Sequence, residues 1–273
     1  MMNNENKTNI NWYPGHMAKT KKQITEDLKL IDVVIEILDS RIPISSQNPD
    51  IKILTQNKKK IILLNKVDLA DETQNNLWVK EFEKQNKKAV LIDANLGKGI
   101  DKVIKTIEEV MEEDLESYAQ KGRTGRKIRV MVLGIPNVGK SSFINRIAKN
   151  KKLEVGNKPG VTKKKQWIRV NEKIELLDTP GVLWPKFENE NVALNLAFTG
   201  TIKDDVLEKV EVGYQLIKYL LENYRQNLIQ KYKLTEEYIE KVLKQEQTEN
   251  ENIYEIMLEI GKKRGAIVSG RKS

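Results

Sequence analysis

Short apolar runs alternate with longer stretches of three- and four-residue apolar spacing over the first two thirds of the chain. Residues 33–38, 60–64, 89–92 and 128–133 are β-rich apolar runs of strand length. Between them, residues 71–85 place Leu77, Trp78 and Phe82 at helical spacing, and residues 99–117 do the same with Ile100, Val103, Ile104, Ile107 and Met111. Residues 18–30 form a basic amphipathic stretch, and residues 140–148 read as a further helix. Alternating strands and helices predict an α/β fold with a mainly parallel sheet. Residues 167–170 and 174–177 predict a strand pair turning at Asn171-Glu-Lys173, and residues 121–127 read as a flexible basic connector. Beyond about Lys186 the pattern is helical only. Leu207, Val210, Tyr214, Ile217 and Leu221 suggest one helix, Tyr238, Ile239, Val242 and Leu243 a second, and Ile253, Tyr254, Met257 and Ile260 a third. The expected division is an α/β domain over 1–185 and a small all-α domain over 186–273.

Composition narrows the chemistry. Hydrophobic residues make up 39%, enough for a core, and cysteine is absent, which excludes disulfides, thiolate metal sites and thiol nucleophiles. His16 is the only histidine, which excludes multi-histidine zinc and iron centres. No apolar run approaches the ~18 residues of a membrane span. The polar opening residues lack the apolar core of a secretory signal, so a cytoplasmic protein is expected. A net charge of +9 favours a polyanionic partner, although Lys and Asn are abundant throughout and the distribution says more than the sum. Three clusters stand out: Lys19–Lys22, the stretch 149–165 with seven Lys and one Glu, and the tail from Gly261 with Lys262, Lys263, Arg264, Arg271 and Lys272.

The sharpest motif is Gly134-Ile-Pro-Asn-Val-Gly-Lys-Ser141, which fits G-x4-G-K-[ST] between a strand and a helix. Chance produces about 0.01 such matches in a chain of this composition. Glycines let backbone N–H groups approach a phosphate chain, here those spanning Asn137, Val138, Gly139, Lys140, Ser141 and Ser142. Lys140 supplies a cation to the β/γ-phosphates, and the Ser141 hydroxyl suits Mg²⁺. Directly after a strand, Asn65-Lys-Val-Asp68 fits N-K-x-D. The Asp68 carboxylate can accept from both N1–H and N2–H₂ of guanine, a pair adenine does not offer, while the Lys66 stem would cover the base face. Asp178-Thr-Pro-Gly181, after the strand 174–177, places a carboxylate for Mg²⁺ and a Gly181 N–H for the γ-phosphate. Thr162, in Pro159-Gly-Val-Thr162, is the candidate switch residue on Mg²⁺ and the γ-phosphate. Asp93-Ala94-Asn95, also after a strand, sits where a further loop would touch the base. GTP and GDP are the expected ligands, with Mg²⁺. Asp68 opposes an ATPase. A non-enzymatic RNA-binding module that keeps a nucleotide pocket as a slow switch is the alternative reading, opposed by the full set Lys140, Ser141, Thr162 and Asp178.

The order of these motifs is permuted. The base-reading loop precedes the phosphate loop, whereas in an ordinary GTPase it follows. All of the loops leave one edge of a sheet, so moving the chain ends preserves the site. The γ-phosphate-sensing segment then leads almost directly into the helical domain, and GTP state would be read out as reorientation of residues 186–273.

Together with Trp12-Tyr-Pro-Gly-His-Met17, Asp39-Ser-Arg-Ile-Pro43 and Asp178-Thr-Pro-Gly-Val182, these motifs make the chain resemble the circularly permuted GTPases, specifically the ribosome biogenesis GTPase A family, over essentially its whole length. The resemblance implies a circularly permuted P-loop GTPase fold with a helical C-terminal domain. It implies a GTPase that acts in assembly of the large ribosomal subunit and is activated by it. With the net charge, it favours rRNA as the polyanion; no lipidation motif or strongly apolar basic helix supports a membrane role, and no DNA partner and a monomer are expected. Asp93-Ala94-Asn95 departs from the family's usual S-A. Where many GTPases carry a water-orienting Gln, this chain has Val182; the family ascribes that role to the histidine of its N-terminal motif, here His16. Related K⁺-dependent GTPases use an Asn at the position of Asn137 to hold a potassium ion beside the phosphates.

Overall fold

The protein was analysed as a computed structural model, which describes residues 14–123, 125–148, 167–177, 189–202 and 208–266, with side chains from Lys19 onward. It divides into two compact units, Met1–Thr201 and Ile202–Ser273.

The first unit is built on a sheet. Its strands are β1 (Val33–Asp39), β2 (Lys59–Asn65), β3 (Lys88–Ile92), β4 (Ile128–Leu133), β5 (Trp167–Arg169) and β6 (Ile174–Leu177), in the spatial order β3-β2-β1-β4-β6-β5. All neighbouring pairs are parallel except β5 with β6, which close antiparallel across the 171–173 turn. Every residue of the central strand β1 is buried, including Glu36, whose carboxylate meets Lys60 Nζ at 3.2 Å. Burial on both faces is why these strands read as continuous apolar runs rather than alternating ones.

Helices cover the sheet. They are α1 (Pro14–Leu28), α2 (Pro49–Leu54), α3 (Glu72–Lys84), α4 (Ile100–Gln120), α5 (Lys140–Ile147) and α6 (Glu190–Phe198). Ile24 and Leu28 of α1 and Ile51 of α2 share a cluster with Val34, Met131, Leu133 and Leu177 of the sheet. Phe82 of α3 packs with Leu38, Ile62, Leu64 and Ala89. In α3 it is Asn75 that is buried and Leu77 that faces solvent, because the inward stripe runs through Asn75, Trp78 and Phe82. In α4 the buried positions are Ile100, Val103, Thr106, Ile107 and Met111, with Ile104 at the margin.

The helix α6 falls with the first unit, although the change of sequence pattern near residue 186 suggested otherwise. Its Asn195 Nδ2 donates to Ser45 Oγ at 3.0 Å, and Leu196 is fully buried. The turn that ends α6 is also held: Asn137 Nδ2 donates to the Gly200 carbonyl at 2.9 Å.

The second unit contains α7 (Lys209–Asn223), α8 (Arg225–Tyr232), α9 (Glu236–Leu243) and α10 (Glu249–Lys263) around Ile217, Leu228, Leu234, Ile239, Val242, Ile253 and Ile256. A reciprocal cap starts α10: Thr248 Oγ1 accepts from Glu251 N, and Glu251 Oε2 accepts from Thr248 N. Thr248→Ala is expected to lower the stability of this unit by about 1 kcal/mol, read as a lower urea midpoint at unchanged slope.

Candidate functional site

Strand register brings the motif-bearing loops together. Asp39 stands opposite Asn65, and Asn65 opposite Ile92, so β1, β2 and β3 end abreast. In β4, Leu133 pairs with Glu36, which sets Gly134 beside the last residues of β1. The ends of parallel strands are where α/β folds place ligands.

Asn65 ties these loops into one unit. Its Nδ2 donates to the Val138 carbonyl at 2.7 Å, and its Oδ1 accepts from Ala94 N at 3.0 Å. One buried amide thus fixes the phosphate loop against the loop after β3, across 73 and 29 residues of sequence. The phosphate loop must pass very close for this to happen. At Gly139 φ is +96°, and a Cβ there would lie 2.2 Å from Asn65 Nδ2; at Gly134 a Cβ would lie 2.6 Å from the Ile37 carbonyl. Only glycine fits either place.

The loop forms an anion cradle. Gly139 caps α5 in the left-handed conformation without a side-chain cap, so the first turn of the helix presents backbone N–H groups and the positive end of its dipole. Lys140 is buried, and its Nζ donates to the Gly134 and Ile135 carbonyls at 3.1 and 2.8 Å. These bonds hold the ammonium inside the curve of the loop. Ser141 and Ser142 follow on the first turn of α5, and Asn137 is exposed in the left-handed conformation at φ 61°. Its Nδ2 donates to the Gly200 carbonyl, and its Oδ1 is an acceptor.

On the other side, Lys66 also takes the left-handed conformation and turns its Nζ onto Asp39 Oδ2 at 2.9 Å. Asp68 follows in a 3-10 turn (Val67–Leu69) and is exposed, as an acceptor for a ligand must be. Asn75 Nδ2 braces this turn through the Val67 carbonyl at 3.4 Å. The sequence assigns Asp93, Ala94 and Asn95 to the base. In the structure the N–H groups of this loop are engaged within the protein: Ala94 donates to Asn65, and Asn95 and Leu96 donate to the buried Asp93 carboxylate at 2.9 Å. Arg146 of α5 holds the same loop from outside, through the Ala94 and Asn95 carbonyls. Ala94, Asn95, Ser142 and Arg146 line a cavity of about 570 Å³ between this loop and α5.

Sequence reasoning missed Arg146, and it missed the pair behind the N-K-x-D turn, Asp39 and Arg41. A polar Asp-Ser-Arg at the end of a strand adjacent to the N-K-x-D strand was the signal for the last two. His16 lies in the first turn of α1, and its side chain is outside the described residues, as are Thr162, Asp178 and Gly181.

The model of the 50S ribosome-binding GTPase family matches residues 129–258, which include the phosphate loop. A Ribosome biogenesis GTPase A from Bacillus pumilus is 44% identical over 261 residues, covering 96% of this chain and 88% of that one. The chain belongs to the ribosome biogenesis GTPase A family. A second member, from Thermotoga maritima, is 34% identical over 199 residues, covering 73% of this chain and 69% of that one. The crystal structure of GNP-bound YlqF from T. maritima superimposes with a TM-score of 0.56 at 23% identity, over 90% of this chain and 95% of that one, a likeness of fold. The protein is therefore a GTPase with a circularly permuted P-loop fold, and guanine nucleotide is its ligand. Membership accounts for the strand order: the strand that carries the phosphate loop is fourth in the chain yet lies inside the sheet, next to β1.

Proposed function

We propose that this GTPase is an assembly factor for the large ribosomal subunit, which binds rRNA in the pre-ribosome in the GTP state and leaves after hydrolysis. The observation that supports a guanine-nucleotide switch is the double tie of Asn65, the first residue of the N-K-x-D turn, to the phosphate loop and to the loop after β3. The names of the relatives and of the matching family support the ribosomal role. Among the described residues no helix is long and apolar enough to cross a membrane, and a cytoplasmic monomer suits the role.

In this reading Asp68 accepts from guanine, the Lys66 stem covers the base, and Lys140 exchanges its loop carbonyls for phosphate oxygens. Asn65 keeps both halves in register while this happens. The donor set Ser141, Thr162 and Asp178 offers the hard oxygens that Mg²⁺ prefers; when bound, the ion neutralises charge on the phosphates. Asn137 Oδ1 would hold K⁺ on the same side, with the Gly200 carbonyl orienting the amide. The Gly181 N–H senses the γ-phosphate. His16 orients the attacking water, a task Val182 cannot perform. The basic clusters contact the rRNA backbone, and that binding weakens with salt. The second unit, residues 202–273, carries the message of the nucleotide state to the ribosome.

One assay tests this: GTP and ATP hydrolysis with and without large ribosomal subunits, in K⁺ and in Na⁺. Stimulation by large subunits of GTP turnover only, stronger in K⁺, is expected. No stimulation, with no binding of large subunits in the GTP state, contradicts the assembly role. In the same assay His16→Ala is expected to lose at least about tenfold of the stimulated rate while GTP affinity stays within twofold; an unchanged stimulated rate removes His16 from the chemistry.

A further inference from the structure

Asp39 ends β1 with a side chain that is 1% exposed, and it serves two cations at once. Arg41 grips it in a fork, Nε to Oδ1 at 2.9 Å and Nη2 to Oδ2 at 2.7 Å, while Lys66 Nζ meets Oδ2 at 2.9 Å. The Arg41 N–H closes the turn onto the same carboxylate at 3.1 Å. The arrangement follows from register. Asp39 lies directly across from Asn65, so the next residue of β2's exit, Lys66, must turn left-handed to come back over it. Burial pushes the Asp39 carboxyl up, but the hydrogen bonds from Arg41 and Lys66 and their charges outweigh it, and the group sits below its usual range. Asp39 is thus a fixed anion between two cations. Both cations flank the purine-reading turn. Arg41 and Lys66 share one carboxylate, and Asp68 follows two residues after Lys66 in the 3-10 turn, so the guanidinium is held at the base of the turn that carries Asp68.

We infer that Asp39 is a positioning residue for purine recognition: it holds Lys66 in place to cover the base, and it keeps Arg41 from closing on Asp68. The inference rests on the guanine-reading role of Asp68 and Lys66 and goes one layer behind it. Without the Asp39 charge, two partly buried cations face each other, and Asp68, two residues beyond Lys66, is an anion that would draw Arg41 although it must stay open to guanine. A guanidinium is suited to capture a carboxylate in two parallel bonds, so Arg41 competes with the ligand for the same lone pairs. Arg41 also reaches the Thr199 carbonyl at 3.5 Å, so release from Asp39 need not unfold the segment.

The experiment uses the full chain with GDP and, as a probe of the phosphate loop alone, inorganic tripolyphosphate. Asp39→Asn is expected to weaken GDP by at least tenfold and tripolyphosphate by less than twofold. Adding Arg41→Gln to Asp39→Asn should restore part of the GDP loss while tripolyphosphate stays within twofold throughout, whereas a merely structural role of Asp39 would move the two ligands together. Arg41→Gln alone should keep GDP affinity within twofold, and this arm stands even if Asp39→Asn does not fold. GDP affinity unchanged in Asp39→Asn, equal losses for the two ligands, no rescue in the double variant, or a tenfold loss in Arg41→Gln alone would each overturn the inference. Wild-type protein that ignores GDP is a failure of the guanine reading itself, and it shows before any variant is made.

Discussion

Asp68→Asn is expected to weaken GTP binding by about two to four orders of magnitude, because two hydrogen bonds to a charged acceptor, each about 1.5–3 kcal/mol, are lost. Xanthosine triphosphate should gain affinity in its place. Guanine presents N1–H and N2–H₂ as adjacent donors, which an ionised carboxylate accepts as a pair and a carboxamide cannot. Xanthine carries a carbonyl where guanine has the amine, and the Asn Nδ2 can donate to it. The fold should hardly notice the change. Asp68 is exposed in its 3-10 turn, and the brace on that turn is Asn75 to the Val67 carbonyl, which the substitution leaves alone. Competition binding with both nucleotides, alongside a thermal melt, checks this. GTP affinity that stays put, or a loss with no gain for xanthosine triphosphate, removes Asp68 from base recognition.

Gly139→Ala is expected to abolish nucleotide binding and to destabilise the first unit together. The added Cβ would lie 2.2 Å from Asn65 Nδ2, on a backbone at φ +96° that L side chains avoid. Backbone strain costs about 1–2 kcal/mol, and breaking the buried Asn65–Val138 bond costs about 1–3 kcal/mol more. Asn65 cannot yield without a second loss, because its other end holds Ala94. The phosphate loop and the loop after β3 then come apart, and the cradle loses the curvature that aims its N–H groups. A fall in melting temperature of several degrees with at least a hundredfold loss of GDP affinity is the expected pair of results. Full binding in a destabilised variant would mean that the Asn65 tie serves folding only.

The two variants separate what the sequence carries from what only the fold reveals. The strands at residues 33–38, 60–64, 89–92 and 128–133 are legible because burial on both faces removes polar residues from them. The phosphate loop and the N-K-x-D turn are legible because each chemistry confines its residues to one short loop. The short helices α2 and α6 escaped the periodicity reading, since six and nine residues hold too few turns for a stripe to emerge. In α6 the contacts that set its place run to Ser45, about 150 positions away. Leu77 misled for a related reason: one residue of phase decides which side of α3 is inward, and Asn75 takes the buried place because it serves the Val67 carbonyl. The contacts around Asp39, Asn65 and Arg146 have no sequence period at all. They form where register and loop closure bring distant polar groups together, and they orient the residues that the motifs name.

The central claim is that permuted loops rebuild one guanine nucleotide site, and equilibrium binding of GDP, GTP and ATP to the purified full chain tests it most directly. The account predicts guanine nucleotides held at least about a hundredfold more tightly than ATP, as expected when the Asp68 carboxylate is left unpaired by the wrong base; equal affinities for GTP and ATP would contradict it.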